Sequence, residues 1–112
     1  MRLKTGIWVS AFLRRWQAAG QYGAVIAKGA EEAGAVYVIV NHLDGTFHLF
    51  GPAPGPSFRD DGERRWIEEA RPPADQAAVD AVLEKRRKGD PDIWIVEIED
   101  RKGTAGLIAE PE

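Results

Sequence analysis

The sequence predicts an α+β fold: a mainly antiparallel or mixed sheet of four to six strands with two helices, in the order α-β-β-β-β-α-β, with room for one more short strand at the end. Three observations carry that expectation. Asp44-Gly45 separates two β-rich runs. Two segments repeat apolar residues at helical spacing between credible ends, and Ile93-Trp94-Ile95-Val96-Glu97-Ile98-Glu99 is a nearly continuous apolar run of strand length.

The first helix is expected over residues 6–19. Thr5 suits its N-cap and Gly20 its C-terminal stop. Between them Trp8, Phe12, Leu13, Trp16 and Ala19 mark one apolar stripe, while Arg14, Arg15 and Gln17 fall mostly on the other side. A strand over residues 6–9 is the competing reading, since Ile, Trp and Val suit both. Ala24-Val25-Ile26-Ala27 is a short apolar run, and residues 31–34 read as the turn that ends it.

Residues 35–43 and 46–50 then form the clearest hairpin. Asp-Gly favours a two-residue turn because both positions need positive φ. That turn pairs Leu43 with Thr46, His42 with Phe47 and Val40 with Leu49, and it gathers Val36, Val38, Val40, Phe47 and Leu49 on one face. A three-residue loop divides this set between the two faces.

Gly51-Pro52-Ala53-Pro54-Gly55-Pro56 reads as a rigid, extended loop, because its three prolines lack N–H donors for a central strand. Arg65-Trp66-Ile67-Glu68 returns to the sheet. Pro72-Pro73 introduces a second helix over about residues 74–88, with Val79, Val82 and Leu83 as its stripe. Lys85, Arg86, Arg87 and Lys88 fill its last turn, where cations favour the helix dipole, and Gly89 and Pro91 end it. The run from Ile93 suggests a strand covered on both faces, and strand–helix–strand from Trp66 to Ile98 suits a parallel crossover. Leu107-Ile108 is placed as a short edge strand.

Composition bounds the function. At 112 residues the chain has the length of one domain, taken as 1–112. Its 15 basic and 18 acidic side chains give a net charge of −3, which disfavours a nucleic-acid partner that would need basic excess. The absence of cysteine removes thiolate nucleophiles and cysteine-ligated metals, and it suits a reducing compartment. Arg2 and Lys4 precede an apolar run that Arg14-Arg15 closes after eight residues, with no small-x-small cleavage site behind it. Nothing approaches the roughly 18 apolar residues of a membrane span. A cytoplasmic protein without a membrane partner is expected.

Several stretches invite chemistry. In the two-residue register His42 and His48 point to opposite faces and cannot share a metal, so no metal site is expected. Pro91-Asp92 with Asp100-Arg101-Lys102 resembles a nuclease signature. Its acids, however, sit at opposite ends of one strand, about 26 Å apart at ~3.3 Å per residue. Glu97 and Glu99 share a face about 6.5–7 Å apart, a spacing compatible with acid/base work or with two solvated charges. The glycines of residues 51–56 follow no common phosphate-loop spacing. Ser10, Ser57 and the threonines have no evident His–acid arrangement, so no catalytic residue and no cofactor are assigned.

Binding candidates are Arg14, Arg15, Arg64 and Arg65 with Trp66 as a stacking surface, and Pro52, Pro54 and Gly55 as a rigid loop able to present a partner surface at low entropic cost. Each basic group also reads as a local charge set on a helix face or end.

Taken together, Trp8-Val9-Ser10-Ala11 with Leu13-Arg14-Arg15, Leu43-Asp44-Gly45, Gly51-Pro52-Ala53-Pro54-Gly55, Arg64-Arg65-Trp66 and Asp90-Pro91-Asp92 through Glu97-Ile98-Glu99-Asp100-Arg101 resemble a small alphaproteobacterial family catalogued as a domain of unknown function. The resemblance implies a bacterial, cytosolic, single-domain protein and carries over no site residues. His42 stands where it leads one to expect a basic residue, commonly Arg.

The leading expectation is a non-enzymatic interaction or ligand-binding module, acting on a protein or small ligand near residues 51–56, with a homodimer left open. The alternative is a phosphate- or nucleotide-binding protein or small enzyme using Arg14, Arg15, Arg64 and Arg65 with Glu97 and Glu99.

Overall fold

The computed structural model describes residues 3–111; Arg2, named above with Lys4, lies outside the described residues. The elements follow the expected order: α1 (Thr5–Ala18), β1 (Gly23–Ala27), β2 (Val36–Asn41), β3 (Phe47–Pro52), β4 (Trp66–Ala70), α2 (Gln76–Gly89) and β5 (Trp94–Glu99). The sheet is mixed, in the order β1-β5-β2-β3-β4. β2 and β5 run parallel, and every other neighbouring pair is antiparallel. α2 therefore carries the chain from the β4 edge to a slot beside β2. The parallel crossover is real, but its ladder forms with β2 rather than with β4. Leu107 and Ile108 add no strand; that segment contributes only a single bridge from Ala109 to Trp66.

The sheet is buried on both sides. Val9, Phe12 and Leu13 of α1 pack on Val36, Val38, Val40, Phe50, Trp66, Trp94, Val96 and Ile98. Val79 and Leu83 of α2 pack on the opposite face against Tyr37, Ile39, Phe47, Leu49, Ile93 and Ile95. β2 is accordingly buried at five consecutive positions, Val36 to Val40. Among the described residues no helix is long and apolar enough to cross a membrane.

Two-sided burial explains where the expected hairpin register fails. The observed pairs are Asn41↔Phe47, Val40↔His48, Ile39↔Leu49 and Val38↔Phe50, one residue away from a two-residue turn. The His42 N–H donates to the Thr46 carbonyl at 3.1 Å, closing a three-residue loop of Leu43, Asp44 and Gly45. Side chains fix this loop: Asn41 Oδ1 accepts from the Leu43 N–H at 2.8 Å, and Asp44 Oδ1 accepts from the Thr46 N–H at 2.9 Å. Leu43 is left-handed at φ 63° and Gly45 at φ 88°. Phe47 and Leu49 thus leave the face of Val38 and Val40. No apolar surface is lost, because α2 covers the face they join.

Two local expectations also change. Thr5 is the first helical residue rather than the cap, and its hydroxyl donates to the Gly34 carbonyl at 3.0 Å. The first amides of α1 find the Glu32 and Glu31 carbonyls instead, at 3.2 and 2.9 Å. Gly51 and Pro52 remain in β3, paired with Ile67 and Trp66. Pro52 lies beyond the last β2–β3 pair at Val38↔Phe50, so its missing donor breaks no β2 bond. A side chain at Gly51 would place its Cβ 2.7 Å from the Tyr37 ring, which is why glycine stands there.

Candidate functional site

The rigid loop is real, and it is stitched from one residue. Arg65 donates from Nη1 to the carbonyls of Pro54 at 3.1 Å and Pro56 at 2.8 Å. Its other edge grips Glu110 in a fork, Nε to Oε2 at 2.6 Å and Nη2 to Oε1 at 2.8 Å. The backbone continues the seam, with the Ala53 N–H on the Arg65 carbonyl at 3.1 Å and the Arg65 N–H on the Ser57 carbonyl at 3.0 Å. The fork raises the guanidinium above its ordinary pKa and holds the Glu110 carboxyl below its own. Pro54, Gly55, Pro56 and Ser57 remain exposed beside a cleft of about 630 Å³ that Thr5, Pro52, Ala53, Phe58 and Arg64 help to line.

Arg64, the neighbouring residue, is placed quite differently. Its guanidinium lies between two rings, 4.8 Å from the Trp8 centroid and 4.9 Å from that of Phe58. Among the described residues Nη2 reaches only the Thr5 hydroxyl, at 3.4 Å, and Nε is buried without a hydrogen-bond partner. Burial pushes its pKa below the ordinary arginine value. No ion pair reaches it among the described residues, whereas Arg59, Arg65, Arg71 and Arg86 each have a carboxylate. Beyond Arg64 a second cleft of about 340 Å³ opens on the α1 face, lined by Trp8, Phe12, Arg15, Arg59, Arg65 and Leu107 among others.

The observed hairpin register creates a third constellation. His42 and His48 now share the α1 face of the sheet. His42 Nε2 lies 2.7 Å from His48 Nδ1, His42 Nδ1 lies 2.7 Å from the Asp100 carbonyl oxygen, and His48 Nε2 lies 2.8 Å from Glu68 Oε2. His48 also stacks on Phe50 at a centroid distance of 5.7 Å. The histidines were expected on opposite faces; the three-residue loop brings them together. Among the described residues no three His, Asp or Glu side chains gather as metal ligands. Only the register separates this chain from two unrelated histidines, and the signal in the sequence was Asn41 and Asp44, which fix that register.

Over residues 3–107 the chain matches the family described as a protein of unknown function (DUF1491). It belongs to that family. The solution structure of protein Atu0922 from A. tumefaciens is similar at 42% identity and TM-score 0.80, covering 100% of this chain and 99% of that one. A crystal structure of a DUF1491 protein from Caulobacter crescentus is similar at 41% identity and TM-score 0.76, over 96% of this chain and 94% of that one. An NMR structure of a DUF1491 protein from the same organism gives 42% identity and TM-score 0.74, over 97% and 96%. No curated protein matches.

In this DUF1491 chain the expected site residues separate into distinct fates. Arg64 and Arg65 face the second cleft with Arg15, while Pro52 and Gly55 line the loop-side cleft, again with Arg64. Pro54 holds the loop through its carbonyl. Arg14 is exposed and lines neither cleft. Trp66 is core, 5% exposed, and meets the Trp8 ring at 5.8 Å, so it offers no free stacking face. Glu97 opens on the α2 face, in a groove with Ile26, Ile39 and Leu83, and strand alternation puts Glu99 on that face too. The sheet therefore stands between these carboxylates and Arg64, and the combined arginine–glutamate site does not form. Arg86 is likewise committed elsewhere, forked onto Glu69 at 2.6 and 2.9 Å.

Proposed function

We propose that this DUF1491 protein is a non-enzymatic binding module that takes a small ligand or a protein segment at the loop of residues 53–57 and the cleft beside it. The observation that carries the reading is the Arg65 clamp, which fixes two exposed carbonyl-bearing prolines against Glu110. A loop held before binding loses little conformational freedom on binding, so its contacts convert more fully into affinity. The cleft volume of about 630 Å³ lies in the range of small-molecule sites. We place this activity in the cytoplasm.

A metabolite and fragment screen read by amide chemical shifts tests it. Ligands are expected to move the amides of Ala53, Gly55, Ser57 and Phe58. Arg65→Lys, which keeps the charge and loses the fork, is expected to weaken them. Hits that map only to the α2 face, or that bind Arg65→Lys equally well, would overturn the reading.

A further inference from the structure

We propose that Arg64 and Arg15 form an oxyanion site in the second cleft, for a small ligand that joins a carboxylate or phosphate to an apolar or aromatic body. The site goes beyond the loop reading, since Arg64 is the wall between the two clefts and Arg15 belongs to the second alone.

Charge accounting leads there first. Four arginines and two glutamates line the cleft. Arg65 consumes Glu110, and Arg59 turns to Asp61 outside the cleft at 3.0 Å. Arg15 and Arg64 remain, with Glu63 as the one carboxylate in the cleft that joins no ion pair among the described residues. The surplus is positive.

The state of Arg64 supplies the second argument. A guanidinium keeps its proton in a protein, so the cost of burying it cannot be relieved by deprotonation. Cation–π contact with Trp8 and Phe58 offsets part of that cost. Yet among the described residues only the Thr5 hydroxyl accepts from it, through Nη2 at 3.4 Å, and Nε is buried without a partner. An oxyanion supplies charge and acceptors at once, through bonds about twice as strong as neutral ones. Trp8, Leu107 and Ile108 line the same cleft with accessible apolar surface over the buried Phe12 and Trp66, which is what selects a ligand with an apolar body over a bare ion.

The test is a titration of the labelled full chain with inorganic phosphate, phenyl phosphate and benzoate at constant ionic strength, followed by amide and indole shifts. Saturable movement is expected at Trp8, Arg15, Trp66 and Leu107, with the aromatic probes tighter than inorganic phosphate. The order of phenyl phosphate and benzoate then says which oxyanion the cleft prefers. Arg64→Gln is expected to abolish saturation and Arg15→Gln to weaken it about tenfold, the loss of one charge-assisted contact. Because Arg15 is exposed, Arg15→Gln decides the matter even if Arg64→Gln fails to fold. Shifts that grow linearly over all basic residues, or an affinity unchanged in Arg15→Gln, would overturn the site. Ligands that still move Ala53 to Phe58 in that variant would leave the loop reading standing.

Discussion

The linked histidines contain a proton-counting problem. Three hydrogen bonds join the Asp100 carbonyl, His42, His48 and Glu68, and both ends of that line are acceptors. Three bonds need three protons, while two neutral imidazoles bring two. The fully bonded line therefore needs one extra proton. Burial opposes it and presses His48 below the ordinary histidine value; Glu68 pulls the other way, and His42 and Arg71 add to the lowering. Asp100 and Asp44 also face His42, and both carboxyls lie below their usual range: three amides hold Asp100 there against its burial, and Thr46 holds Asp44. Since the folded pKa of His48 is depressed, the unfolded chain takes up the proton first as the pH falls. The histidine contribution to stability is thus fully present above about pH 6.5 and is lost as the pH drops through the folded value. Unfolding free energies from urea titrations between about pH 8 and 5 should decline by no more than about 1.4 kcal/mol per pH unit from this group. His48→Gln should flatten that decline. A stability that rises on acidification would mean that Glu68 outweighs burial.

The end of α1 and the apolar stripe of α2 were legible because they depend on local chemistry. Gly20 ends α1 at φ 82°, with its N–H on the Gln17 carbonyl at 2.9 Å, as a glycine after a helix should. Val79, Val82 and Leu83 face the core of α2 as their spacing implied. The hairpin register was not legible in the same way. Asp44-Gly45 favoured the tighter turn through its own turn chemistry, and the coherent apolar face supported that turn only if a single face is buried. α2 on the far side removes the second support, and the Asn41 and Asp44 side chains override the first. Nor does any local pattern separate Arg64 from Arg65. Both line the same cleft, and Glu110, 45 residues away from Arg65, decides which of them is paired. At this scale the start of α2 can be tested directly. Asp75 caps it by accepting from the Ala78 N–H at 2.9 Å, a contact the expected start at residue 74 did not include. Asp75→Ala should cost about 1 kcal/mol in chemical denaturation, and Asp75→Asn or Asp75→Ser should restore most of it. An Ala variant as stable as the parent would show that packing of Val79 and Leu83 alone sets the helix start.

At the level of the whole molecule, the two apolar cores on the sheet have no side chain in common among the described residues. Coupling must pass through the strands: β2 contributes Val36, Val38 and Val40 to one face and Tyr37 and Ile39 to the other. Such a sheet cannot keep one face ordered while the other loses its support, so a chain of 112 residues should unfold in one step. The distribution of tryptophan makes this measurable. All four tryptophans, Trp8, Trp16, Trp66 and Trp94, lie in or against the α1-side core, so their fluorescence reports on that face alone. Leu49 is fully buried on the α2 side. Leu49→Ala should destabilise the protein by about 2–5 kcal/mol, the usual range for a buried leucine truncated to alanine. The decisive reading is the tryptophan transition, which reports a face the substitution does not touch. It should move to lower denaturant in step with the circular-dichroism transition, because the strands carry the loss across the sheet. If fluorescence kept the parent midpoint while circular dichroism shifted, the two cores would be separate cooperative units. The loop, the arginine clefts and the histidine line, all on or beside the α1 face, would then be insulated from α2.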